Sequence, residues 1–463
     1  MKKIAVILSL ALLFAVLAAC APADDATPPA GDTAAPPAGD TAAPPAGGDA
    51  AGEPLVIDWL SSAAESEAWV QGVKHVANEF AALNPGFRIN FEAAPDQAAR
   101  SQRLRILAAA NELPDWMGTD SDAFMQGVAA RGDIVNVGNL IEELDATDRF
   151  FDIAFSFNAF DDGSLYFWSF ISVMEYWWYR PSHFEAAGIS SADIHTFDDL
   201  LDAARTLQEA GFHPFGFCNS DWYVQRWVAF VPWRLAGNDF INELKFNRAN
   251  MSSDIGYAAA DWLVSMRPYL MPGWAANDFR GMVEAFHAGH TSIMYFGTWD
   301  PGEFVDLSTG NLKDDISMFM MPVLGDGRDV NLPTDGWANS GTGTAFSTRG
   351  MNDQHKEFLS FLIDVWPDTG VQFGFIPAVV PTEAQMANMP SAFQAILADL
   401  LYVQYFGSPW DINVDPATYT TLSRGIVELM LDQITTTEFV NMVDETIDEH
   451  AEAFWAAAME DDD

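Results

Sequence analysis

Past residue 53 the chain alternates between two periodicities. "PLVIDWL" (54–60) reads as a strand, and after it Trp69, Val73, Val76, Phe80 and Leu83 recur at steps of four, three, four and three. That is one apolar stripe at helical period. Ser62 and Glu65 have the spacing of a capping box that would open this helix, and Asn84-Pro85-Gly86 stops it. "FRINFEA" (87–93) alternates as a second strand, a helix runs from about Gln97 to Asn111, and the short strand in "PDWMG" ends in a polar loop, "TDSD", Thr119 to Asp122. Such alternation predicts a mostly parallel sheet covered by helices. Ligands of such sheets bind at loops beyond the carboxyl ends of strands, and the Thr119–Asp122 loop holds such a place.

A second α/β section opens with "MEYWWYRPSHFEAAGI" (174–189). It continues through the amphipathic helix "FDDLLDAARTLQEAGF" (197–212) into "PFGF" and a polar–aromatic loop, "CNSDWY". Val283 and Phe286 lie on a short helix that ends at Gly289, a residue favoured just past a helix end. "TSIMYFG" then reads as a strand with Thr298, Trp299 and Asp300 at its carboxyl end. After "MFMMPV" (318–323) and a Gly-rich passage to Gly343, "TAFST" and the helix "DQHKEFLSFLIDVW" resume the pattern, and the C-terminus reads as helical from about Ser391 to Met459.

The first residues belong to another regime. Lys2 and Lys3 precede an apolar run from Ile4 to Leu17, followed by Ala18, Ala19 and Cys20. This is a secretory signal, too short and wrongly flanked for a lasting membrane span. The ending "LAAC" resembles a bacterial lipobox, which implies acylation of Cys20 as the mature N-terminus. Residues 21–53 repeat "PPAGDTAA" almost without variation. Pro, Gly, Ala and Asp supply no apolar face to bury, so this segment is expected to be a semi-extended spacer. The folded part then begins near Pro54, long enough for two lobes.

Charge narrows the partners. Lys and Arg number 22 against 66 Asp and Glu, a net charge of −44. Such a surface repels nucleic acid and anionic headgroups. If Cys20 is acylated, Cys218 has no disulfide partner. No "GK" dipeptide, GxSxG elbow or HExxH is present, so phosphate-loop, nucleophile-elbow and zincin chemistry lack their motifs. "DINVDP" (411–416) begins like a calcium loop, but its sixth position is Pro416 and its twelfth Leu422. Glu284, His287 and His290 fall at three-residue steps that could suit a metal. A helix ending at Gly289, however, leaves His290 off the face of His287, and histidines near a helix C-terminus interact favourably with its dipole. No metal and no cofactor is expected.

"AFHAGHTSIMYFGTWDPGEF" resembles a signature of the family 1 extracellular solute-binding proteins, the maltose-binding-protein-like lipoproteins of ABC importers. "LYFWSFISVMEYWWYRPSHFEAAGI" is similar to that family's hinge crossing, with Ser169 where a Pro is usual. "HTFDDLLDAARTLQEAGFHPFGF", "GTGTAFSTRGMNDQHKEFLSFLID" and "LDQITTTEF" match further family segments in order, so the likeness covers residues 55–455. It implies a periplasmic-binding-protein-like α/β fold, two lobes joined by a hinge with the ligand cleft between them. Lobe 1 would hold 54–170 and 336–385, and lobe 2 would hold 171–335 and 386–463, after a signal peptide (1–19) and a lipid-anchored linker (20–53). The implied function is capture of a mono- or oligosaccharide and delivery to a membrane permease. The protein would be a monomer without catalysis, tethered to the outer face of the bacterial cell membrane.

A neutral sugar offers apolar C–H faces and a rim of hydroxyls, which aromatic rings and carboxylates recognise. Trp299 and Asp300 match the family's strand-end loop. Asp120 and Asp122 follow "PDWMG", Asp221 and Trp222 follow "PFGF", and Trp337 in "TDGWANSG" and Tyr419 complete the candidate set. The competing expectations are a surface glycoside hydrolase, which would also want tryptophans and carboxylates, and an adhesin, which would lack saturable small-ligand binding.

Overall fold

The computed structural model describes residues 55–459 except Ser62, Asp96 and Asp161. The expected signal peptide, Cys20 and the spacer lie outside the described residues, as does Ser62 of the expected capping box. Two sheets organise the described chain into two lobes.

The first sheet joins β1 (Val56–Ser61), β2 (Arg88–Ala93), β3 (Trp116–Thr119) and β11 (Gly343–Phe346) in the order β11-β3-β1-β2. β1 runs parallel to both β2 and β3, with Trp59 beside Phe91 and Trp116. The helix Ala68–Leu83 covers it with Trp69, Val73, Val76 and Phe80 buried. Leu83, the last member of the expected stripe, is 71% exposed, because the helix ends there and carries it past the sheet. Glu67 is the N-cap, and its carboxylate accepts from Ala64 N and Trp69 Nε1. Glu65 pairs with Lys74. Trp59 is ringed by Trp69, Phe91, Trp116 and Phe170, the centre of this lobe's core.

The second sheet is built on β4 (Val173–Tyr179). On one side β4 pairs with β6 (Ile293–Gly297), which pairs with β5 (Phe215–Gly216). On the other side β10 (Gly336–Asn339) meets its first half and β9 (Ser317–Phe319) its second, while β12 (Phe406–Gly407) extends the sheet from β10. A hairpin of β7 (Val305–Asp306) and β8 (Asn311–Leu312) stands apart. The expected parallel order holds for β1 to β3 and fails here, since β4 is antiparallel to β6, β9 and β10. The chain enters this lobe through β4 and leaves through β10, so the two must run in opposite directions. The return to the first lobe was expected at residue 336, but β10 still belongs to the second sheet and β11 makes the return. The helix Asp353–Phe373 then packs on Ala68–Leu83. The expected C-terminal helical run is three helices, Ser391–Tyr402, Pro416–Met430 and Thr436–Met459, parted by β12 and a short 3-10 turn, Trp410–Ile412.

Three segments run side by side where the lobes join. Trp168 bridges to Thr344 and Ile171 to Pro377, while Ser172 N donates to Ile376 O and Ala378 N to Phe170 O. Ser169 is buried among them. Its hydroxyl donates to Ala154 O at 3.2 Å and lies 3.1 Å from the Ser340 hydroxyl, and Asn158 Nδ2 donates to Ser340 Oγ at 2.9 Å. A Pro at 169 could make neither of the two Ser169 hydroxyl bonds, so the departure at this position ties two crossings together. Among the described residues no helix is long and apolar enough to cross a membrane.

Candidate functional site

The loop after β3 delivers Asp120 and Asp122 to different tasks. Asp122 is the N-cap of the helix Ala123–Ala130 and accepts from Met125 N at 2.9 Å, satisfying one of the unpaired donors of a helix start. Asp120 is free of such a duty. Its side chain is one-third exposed and pairs with the buried Arg100 at 2.7 Å.

β6 delivers Trp299. Thr298 closes the strand by exchanging bonds with Met174, N to O and N to Oγ1, and the half-buried Trp299 ring then folds back over Gly297. A Cβ at 297 would stand 2.1 Å from Trp299 Cζ3, so only a glycine lets the ring lie there. The indole meets Phe296 at 4.6 Å and Trp222 nearly edge-on at 5.6 Å. It packs against the apolar clusters of both lobes, which puts it at their border. Asp300 is exposed and begins the 3-10 turn Pro301–Glu303; its electrostatic neighbours are Glu303, Lys313 and Arg280.

Asp221 and Trp222 were expected in a loop and lie in the first turn of the helix Asp221–Ala236. An acidic residue is favourable there because unpaired N–H groups give that end a partial positive charge. Trp222 is partly buried, and Arg226, one turn on, lies over its ring at 6.0 Å. Tyr419 stands in the first turn of Pro416–Met430. Burial pushes its hydroxyl well above the usual tyrosine range, and the charges of Asp411, Asp221 and Asp120 push the same way. Asp120 comes from the first lobe and the other two from the second, so charge from both lobes bears on this hydroxyl.

Trp337 is a correction. It is 0% exposed and packs edge-on against Phe230 and Trp233. β10 lies inside the second sheet with helix Asp221–Ala236 over it, so this indole belongs to the core.

Sequence reasoning missed a buried ionic network beneath the site. Glu175, 1% exposed in mid-β4, accepts from Arg226 Nη1 at 2.9 Å, Asn339 Nδ2 at 2.8 Å and the Tyr295 hydroxyl at 2.7 Å. Asp411 lies on the turn Trp410–Ile412, its Oδ1 3.1 Å from Arg226 Nε. Burial raises its carboxyl to about 6 although Arg226 opposes this, and Glu175 and Asp120 add to the rise. A signal did exist: a single acid in the otherwise apolar "VMEYWWY" and an arginine amid "VQRWVAF" each need a buried partner.

The stretch with two histidines resolves differently. The helix Phe279–His287 ends with Gly289 at φ +76°, and His287 pairs with Glu303 at 2.8 Å. His290 and Glu284 are exposed. Among the described residues no group of three His, Cys, Asp or Glu could hold a metal ion. Burial pushes the thiol of Cys218 up to about 12, far from a nucleophile's range.

A family model described as bacterial extracellular solute-binding protein matches residues 61–364. No curated protein matches the chain. Among solved structures, a chitin oligosaccharide binding protein is similar with a TM-score of 0.71 and 19% identity, over 86% of this chain and 100% of that one. A probable secreted solute-binding lipoprotein from Streptomyces coelicolor gives a TM-score of 0.68 and 14% identity, over 85% and 98%. A sugar transporter from Bacillus licheniformis in complex with stachyose gives 0.61 and 13%, over 84% and 98%. The fold is that of periplasmic-binding-protein-like solute receptors with two lobes.

Proposed function

We propose a function from the premise that the chain belongs to the bacterial extracellular solute-binding protein family: it captures a carbohydrate between its lobes and hands it to the permease of an ABC importer. The observation that carries this reading is the pair Trp222 and Trp299, in contact at the lobe border beside Asp120, Asp221 and Tyr419. Two aromatic faces next to carboxylates match the apolar faces and hydroxyl rim of a sugar. The sugar-binding proteins that share the fold support the same class of ligand. Closure follows from the ligand touching both lobes, and its extent is limited by the preference of the ligand for the closed state. The protein acts as a monomer and makes or breaks no covalent bond. Incubation with oligosaccharide should therefore give saturable binding without new reducing ends.

Calorimetry with stachyose and chitin oligosaccharides tests the site. Trp299→Ala should weaken binding by about 1–3 kcal/mol, roughly five- to a hundredfold, through lost ring burial and stacking. Gly297→Ala keeps the indole but displaces it and should weaken binding comparably. His287→Ala with His290→Ala should stay within a few-fold of the parent, because His287 is engaged with Glu303 and His290 is exposed. Binding lost only in the histidine variant would sink the aromatic reading.

Anchoring is the second part of this reading. Cys20 carries the acyl group and residues 21–53 hold the lobes off the membrane. Cys20→Ser should move the protein from the membrane fraction to the soluble one. Retention of the variant on the membrane would refute the anchor.

A further inference from the structure

Trp222 sits in the first turn of the helix Asp221–Ala236, where helix ends fray, so its ring depends on its neighbours for support. One turn on, at the spacing that sets two side chains side by side on a helix, Arg226 lies over the indole at 6.0 Å. That guanidinium is a fixed point. Its side chain is 7% exposed and its Nη1 donates to Glu175 at 2.9 Å. Glu175 is held in turn by Tyr295 at 2.7 Å and Asn339 at 2.8 Å, so strands β4, β6 and β10 together anchor the charge. A guanidinium seated on a carboxylate favours two parallel bonds. Here Nε stands 3.1 Å from Asp411 Oδ1 without a hydrogen bond among the described residues, and the group lies over the ring instead. Trp222 itself meets Phe279 at 4.9 Å and Trp299 nearly edge-on at 5.6 Å.

Resting on the reading of Trp222 and Trp299 as a sugar platform, we propose that Arg226 is a positioning residue: without touching the ligand, it holds the Trp222 indole against Trp299 before a sugar arrives. A cation over an aromatic ring is attracted to it, most strongly where water is excluded. Ordering a mobile side chain during association costs affinity, so a ring already in place leaves more of its stacking as binding. The contacts run from the sheet outward. Glu175 fixes Arg226, Arg226 fixes Trp222, and Trp222 braces Trp299. The buried network then has a task besides stability. That gives a reason for an ion pair at this place, where apolar groups of similar volume are often as stable.

The paired change Glu175→Gln with Arg226→Met removes both charges together, so neither partner is left orphaned. The glutamine oxygen can still accept from Tyr295 and Asn339. Calorimetry with stachyose and chitin trisaccharide should show binding weakened by roughly three- to tenfold. The same pair in a Trp222→Ala background should add less than about twofold, because the ring it positions is gone. A second readout needs no ligand. In fluorotryptophan-labelled protein the resonance lost in Trp222→Phe identifies that ring, and it should move and broaden in the paired variant. Arg226→Lys keeps a charge for Glu175 while taking the planar group off the ring. It should move the same resonance even where the paired variant folds poorly. An equal loss of affinity with and without Trp222 means a general loosening of the lobe and overturns the proposal. A Trp222 resonance unmoved by both variants overturns it as well, and leaves sugar binding intact. If the parent protein binds neither sugar, the sugar reading falls and the role of Arg226 in binding falls with it.

Discussion

Glu175→Leu will destabilise the protein by about 3–5 kcal/mol, the range seen when one partner of a buried ion pair is removed. The carboxylate is 1% exposed and accepts from Arg226, Tyr295 and Asn339 at once. Without it the guanidinium of Arg226 keeps only Asp411 at 3.1 Å, without a hydrogen bond, and two neutral donors lose their acceptor. Urea denaturation followed by tryptophan emission measures the effect as a lower midpoint at unchanged slope. The double change Glu175→Leu with Arg226→Met should cost less than Glu175→Leu alone, since a buried pair replaced by apolar groups leaves no orphaned charge. A single change costing under about 1 kcal/mol would mean that water reaches the network and screens it.

His355 gives the first lobe an acid-labile point. It is fully buried at the start of the helix Asp353–Phe373. Its Nε2 accepts from Trp116 Nε1 at 2.6 Å, which leaves the proton on Nδ1, 3.4 Å from Gly350 O. Burial lowers its pKa to about 4, against the backbone bond to Gly350 that opposes the drop. The unfolded chain takes up this proton near pH 6.5 and the folded chain only near 4. The contribution to stability is therefore complete above 6.5 and is lost as the pH falls toward 4. The loss amounts to about 3 kcal/mol. Asp411, raised to about 6, acts with the opposite sign, because its folded form holds the proton more tightly. The measurement is thus the difference in unfolding free energy between the parent and His355→Gln, in which Asp411 is common to both. That difference should shift against the parent by about 3 kcal/mol between pH 7 and pH 4. A flat difference would mean that the imidazole protonates in place without loss of the fold.

Local pattern carried much of this protein. The stripe Trp69, Val73, Val76 and Phe80 is buried as its period requires, and Gly289 ends its helix at a positive φ. Trp299 falls just past the strand Ile293–Gly297 because strand length and the glycine before it are local facts. These features depend on residues within a turn or a strand of one another, where side-chain period and backbone preference decide.

What covers an apolar face is a different matter, and only the tertiary structure decided it. Trp337 and Trp299 look alike in sequence, each beside glycine and polar residues. One is sealed by Phe230 and Trp233, about a hundred residues earlier in the chain, and the other stays half-open at the lobe border. The antiparallel setting of β4 and β10 follows from where the chain crosses between lobes, which no period encodes. Asp411 read as part of a failed calcium loop, and Asp415 beside it is an N-cap. From sequence, Glu175 and Arg226 must each have a buried partner, since an unpaired charge in an apolar strand or helix costs too much. That they find each other across fifty residues, with Asp411 brought in from a turn near the C-terminus, is a fact of packing alone.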